Sequence, residues 1–177
     1  MASPLYILHY LRDLSANDAW IGIASTIGSV ASMAGFFFVR KLISRIGFAK
    51  ALKFSAPFLG LFPIFVGFAP SLTIILYGVL IYNVIHAFFS ISHFSLVIKA
   101  FPDGKEQDAS AIWMTFMYIG SFIGPPIGVA LAGWFGILPI LIACGCIAVL
   151  GGFSFWIWPV YARDFQMITE NPSTTEE

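Results

Sequence analysis

Charge is what this sequence has least of. Only 10% of its 177 residues are Asp, Glu, Lys or Arg, against roughly 25% in a soluble domain. A water-soluble globule of this length has too little interior to hide a chain that is 59% hydrophobic. Lipid is the solvent that fits. The formal net charge is zero, so no bulk attraction to nucleic acid is expected. Cysteine is scarce too. Cys144 and Cys146 lie inside an apolar run with no His or acidic neighbour. A metal or redox pair needs a polar, accessible setting, so these two read as small packing residues. No Gly-rich phosphate loop with a following Lys occurs, nor a His/Glu pair at helical spacing. That leaves an ATP-driven pump unsupported. Acidic, Cys–His and metal-ligand clusters are missing from the apolar segments. An enzyme, a cofactor and a metal site are therefore not expected. The start of the chain has no basic n-region, and its short apolar stretch ends at Arg12 and Asp13, so it does not read as a signal peptide.

What the chain does have is long apolar sequence. Five segments approach the ~20 residues that a spanning helix needs. They are Ala19 to Val39, Ala49 to Ala69, Leu72 to Ile98, Ala109 to Phe135 and Ile137 to Val160. Apart from Lys50 and Lys53 at the start of the second, none contains Asp, Glu, Lys or Arg. Apolar and polar residues do not alternate as they would in a membrane β-barrel, and Gly and Ala are spread through the runs. The expected fold is an all-α integral membrane protein, a multi-helix bundle. Residues 13–160 form the bundle, and 161–177 a polar tail.

The links differ in charge. Arg40, Lys41, Arg45, Lys50 and Lys53 make the first link strongly basic. Ala69-Pro70-Ser71 and Gly136 to Pro139 are tight and uncharged. Lys99 to Asp108 is turn-rich around Pro102-Asp103-Gly104 and carries Lys99 and Lys105. If every segment crosses, these basic places and Arg163 share one side, and only Arg12 falls opposite. The positive-inside rule puts that side, and the C-terminus, in the cytoplasm of a cell membrane.

Pro4 to Leu11 is apolar but too short to span. With crossings at every later segment it would begin in mid-membrane, where unpaired backbone groups are costly. Residues 1–12 therefore read as the cut end of a membrane helix. The alternative is an interfacial N-terminus held at the headgroups by Tyr6 and Tyr10.

The pattern resembles the C-terminal half of a major facilitator superfamily transporter, over about Pro4 to Pro159. Pro4-Leu5-Tyr6, Leu14-Ser15-Ala16 and Trp20-Ile21-Gly22 look like the end of the family's seventh helix and the start of its eighth. Arg40-Lys41-Leu42-Ile43-Ser44-Arg45-Ile46-Gly47 is similar to its Gly, Asp, Arg, Gly loop motif, with Ser44 where the acid would stand. That departure removes the charge partner a gating relay would use. Gly120-Ser121-Phe122-Ile123-Gly124-Pro125-Pro126-Ile127-Gly128 looks like the Gly-Pro segment of its eleventh helix. The resemblance implies a partial seventh helix followed by helices eight to twelve. It also implies a substrate site between two six-helix halves near the bilayer midplane, and transport by rocking one half against the other.

The third apolar segment is the richest in polar groups. Asn83, His86, Ser90 and His93 are spaced three, four and three apart, on one helical face, with Tyr82 four before His86. Polar groups at bilayer depth should point inward. Tyr82, Asn83 and His86 are the leading substrate contacts, with Ser90 and His93 beyond them. The competing reading is hydrogen-bonded glue between helices. An unperturbed His titrates near pH ~6.5, so proton coupling through His86 is a further option. Gly120, Gly124 and Gly128, continued by Ala132, form a small-residue stripe for close helix packing, with a kink expected at Pro125 and Pro126 and a hinge as the sharper alternative. Gly22, Ser25, Ser29 and Ser32 read as a second packing stripe. Trp20, Trp113, Trp134, Trp156, Trp158 and Tyr161 fit aromatic belts at the headgroups.

Together these features point to part of a secondary transporter moving a small molecule by alternating access, ion- or proton-coupled or of efflux type. Its expected partners are the substrate, membrane lipid, and a separately encoded N-terminal half or a second copy. The alternatives are an inactive truncated fragment and a stand-alone membrane scaffold.

Overall fold

A computed structural model describes residues 3–99, 101 and 104–157; the side chains of residues 3, 40, 99 and 106 are outside the description. The expected polar tail, Arg163, Tyr161 and Trp158 lie outside the described residues, as do Pro102 and Asp103.

The chain forms six helices: α1 Ser3–Arg12, α2 Asp18–Ile46, α3 Phe48–Phe68, α4 Leu72–Lys99, α5 Glu106–Phe135 and α6 Ile137–Ile157. Among the described residues there is no strand. The last five helices are each long and apolar enough to cross a membrane. The ten residues of α1 rise only about 15 Å, roughly half the hydrocarbon core.

The expected basic link between the first two spans is not a loop. Helix α2 continues about two turns past Val39, through Arg40, Lys41 and Arg45, to Ile46. Lys and Arg are good helix formers, and their long stems let the charge reach the headgroups from a helix end. Gly47 alone separates α2 from α3, with φ of 81°, a conformation costly for other residues. Its N–H bonds to the Ile43 carbonyl at 2.8 Å. Gly136, φ 88°, makes the same one-residue joint between α5 and α6. Asn17 caps α2 by accepting from the Trp20 N–H at 2.8 Å.

Apolar side chains gain little by leaving lipid for each other, so close packing must hold the helices together. Glycine makes that possible between α3 and α6. A Cβ on Gly60 would meet the backbone of Ala148 at 2.8 Å, and one on Gly152 would meet Ala56 and Pro57 at 2.7 Å. The indole Nε1 of Trp156 donates to the Lys53 carbonyl at 2.8 Å, and its ring meets Phe54 edge to face. Trp156 thus ties α6 to the first turns of α3. Helix α2 packs on α4 through the buried line Ala24, Gly28, Ala31, Gly35 and Val39. A Cβ on Gly35 would lie 3.0 Å from Ala87.

Helix α1 docks on α3, α5 and α6, where Leu5 is fully buried beside Ala132 and Leu141. Tyr10 is only 7% exposed. Neither Tyr6 nor Tyr10 therefore matches the interfacial alternative for this segment, because both rings pack inward.

Helix α5 runs unbroken through Pro125 and Pro126. Of its small-residue stripe, Gly124, Gly128 and Ala132 are buried. Gly120 is exposed, and a Cβ there would meet nothing within 4 Å.

Candidate functional site

The polar residues of α2 and α4 converge on a cleft of about 760 Å³. Helix α1 supplies Tyr6, Ile7 and Tyr10 to it. Helix α2 supplies Trp20, Ser25, Ser29, Ser32 and their apolar neighbours, and α4 supplies Val79, Tyr82 and Asn83. Phe62 of α3 closes the back.

The serines Ser25, Ser29 and Ser32 of the second stripe line the cleft, and Ser32 also bonds across to α4. The packing line of α2 lies on an adjacent face, at Ala24, Gly28, Ala31, Gly35 and Val39. Both stripes repeat at helical spacing. The hydroxyls distinguish them, since a polar group at bilayer depth favours a cavity over a tight apolar seam.

Asn83 joins the two walls. Its Oδ1 accepts from Ser32 Oγ at 3.0 Å, and its Nδ2 donates to the Val79 carbonyl at 2.8 Å. Ser29 donates to the Ser25 carbonyl at 3.0 Å. A run of rings borders the same space. Trp20 meets Tyr10 edge to face at 5.1 Å, Tyr6 meets Phe62 at 5.4 Å, and Phe62 stacks on Tyr82 at 4.3 Å. Tyr82 in turn stacks on His86 at 5.8 Å.

The candidate substrate residues thus separate along α4. Tyr82 and Asn83 line the cleft. His86 stands behind Tyr82, its Nδ1 3.5 Å from Ser90 Oγ. His93 is further along, between Phe89 at 5.2 Å and Trp113 of α5 at 5.6 Å. The 3-4-3 spacing places these four on one face, but that face climbs about 15 Å from Asn83 to His93, and the cleft takes only its lower end. Trp113 accordingly contacts His93 rather than standing alone at a helix end.

In the motif at the α2–α3 joint, Ser44 donates to the Lys41 carbonyl at 2.8 Å. Arg45 is exposed beside it, and Gly47 is the joint itself. The backbone of Arg40 lies within α2, and its side chain is outside the description.

Several lining residues drew no attention as site residues in the sequence. Tyr6, Tyr10 and Trp20 read as headgroup aromatics, and Phe62 as one of many phenylalanines. One further pair was legible by spacing but passed over. His9 and Asp13, four apart on α1, bond through Nδ1 and Oδ2 at 2.6 Å. His9 is 6% exposed, and its Nε2 has no hydrogen-bond partner among the described residues.

Among the described residues, no cluster of His, Cys, Asp or Glu is suited to a metal ion. Cys144 and Cys146 are free thiols on α6. No curated protein and no solved structure matches the chain. A family model, Major Facilitator Superfamily, matches residues 1–173. With five helices able to span a bilayer, a cleft of neutral polar groups among them and a match over nearly its whole length, the chain belongs to the Major Facilitator Superfamily and is a multi-pass membrane transporter.

Proposed function

We propose that this chain acts as the C-terminal half of a transporter, moving a small molecule by alternating access, with the α1–α2–α4 cleft as one wall of the route. The observation that carries this reading is the cleft: hydroxyl and amide groups collected on one side of helices that are otherwise apolar. Lipid penalises such groups, whereas water and a polar solute accept them. In the family arrangement that the resemblance implies, a second six-helix unit faces this wall across the bilayer midplane. Tyr82, Asn83 and Ser32 are the leading substrate contacts. Ser90 and His93 lie further along the same helix, as positions a longer route would pass.

The energy source in this reading is ion or proton coupling. His86 is the imidazole stacked on the cleft's Tyr82. Unchanged pH dependence of transport in a His86→Gln variant would remove it from that role. Lys41, Arg45, Lys50, Lys53 and Lys105 all fall at the α2–α3 and α4–α5 ends of the spans. The positive-inside rule assigns that end, and the C-terminus, to the cytoplasm of a cell membrane.

Native mass spectrometry of material extracted from its own membrane tests the half-transporter reading. The expected result is a second helical bundle accompanying this one, in the same polypeptide or in a partner. A lone 19.4 kDa monomer would contradict it and leave a scaffold without transport.

A further inference from the structure

We infer that the cleft selects uncharged solutes that combine a flat apolar face with a hydrogen-bonding edge. This rests on the cleft being the substrate wall. No Asp, Glu, Lys, Arg or His lines it among the described residues. On this wall a carboxylate or phosphate taken from water loses its hydration and meets no counter-ion, at a large cost. An organic cation likewise finds no carboxylate on it among the described residues.

The hydrogen-bond inventory narrows the class further. Ser29 and Ser32 give their protons to the Ser25 carbonyl and to Asn83 Oδ1, and Asn83 Nδ2 gives one to Val79. Each engaged hydroxyl oxygen keeps lone pairs free, while the Trp20 indole N–H and the Ser25 hydroxyl on the same wall can donate. A solute edge that both donates and accepts hydrogen bonds complements it, while the rings and Val79 accept the apolar face. Neutral aromatic amides and alcohols have both parts.

Three probes with one ring system and three charges provide the test: 2-naphthamide, 2-naphthoate and 2-naphthylmethylammonium. Each is measured by equilibrium dialysis against the natively extracted assembly in lipid nanodiscs, with empty nanodiscs subtracted. The amide is expected to bind saturably and about tenfold tighter than either ion, a difference of roughly 1.4 kcal/mol. Tyr82→Leu is expected to weaken the amide several-fold. Tyr77→Leu, the same change on the same helix but outside the cleft, leaves its binding unchanged. Naphthoate or the ammonium binding as tightly as the amide overturns the selectivity while leaving the cleft a binding site. Amide binding indifferent to Tyr82→Leu overturns the assignment to this cleft. If no probe binds saturably, the cleft is not a solute wall, and the functional reading falls with the inference.

Discussion

Helices α3 and α5 are both apolar spans with two prolines inside them, yet they occupy opposite situations. In the most apolar stretch of α3, 44% of residues are buried; in that of α5, 11% are. Helix α3 is gripped by α6 through glycines that bring backbones together, and by α4, where Gly78 takes the Phe65 ring. Helix α5 touches α6 and α1 lightly, and its Phe122 is 82% exposed. Apolarity is therefore a poor guide to burial within a membrane protein. Lipid satisfies an apolar side chain as well as a neighbour does, so the placing of small residues against facing backbone decides which helices lock.

The sharpest way to break this contrast is at the α3–α6 seam. Gly152→Val sets a branched side chain against the backbone of Ala56 and Pro57, which cannot rotate aside. Destabilisation of about 3 kcal/mol or more is expected, at the upper end for overpacking, read as an early transition in denaturant titration of the purified protein. A smaller loss should follow Trp156→Phe. That change keeps a ring beside Phe54 but removes the N–H that reaches Lys53, for about 1 kcal/mol. On α5 the same kind of probe should do almost nothing. Gly120→Ala adds a methyl where nothing lies within 4 Å. The change should leave stability within about 0.5 kcal/mol or raise it slightly, since Ala is the better helix former. A large loss there would mean that α5 packs far more tightly than the structure shows.

Much of the fold was legible in the sequence because lipid imposes length and the exclusion of charge. The predicted limits of the second, third and fifth spans agree with α3, α4 and α6 to within one residue at each described end. The first span ran past its predicted end because a helix carrying Lys and Arg can leave the hydrocarbon without unwinding. The site was half legible. The polar face of α4 stood out and delivered Tyr82 and Asn83 to the cleft. The period of that face says nothing of depth, so it did not show that Ser90, His93 and His86, the last stacked on Tyr82, stand beyond the cleft lining. The serines of α2 were read for packing alone, and their place in the cleft lining was missed, since Gly and Ser at helical spacing serve packing and cavity equally well. The aromatic border was hidden for a different reason. Tyr6, Phe62 and Trp20 meet only when α1, α3 and α2 are assembled.

The central claim is that water, not lipid, fills the space along Ser25, Ser29 and Ser32. Ser29 and Val30 are neighbours on α2, and both are exposed in the bundle. Ser29 faces the cleft, while Val30 borders an apolar groove. Single cysteines at these two positions, with Cys144 and Cys146 replaced by Ala, can be challenged in intact membranes with a charged, membrane-impermeant thiol reagent. The account predicts ready labelling of Ser29→Cys and none of Val30→Cys. Equal labelling of the two, or protection of both, would contradict it.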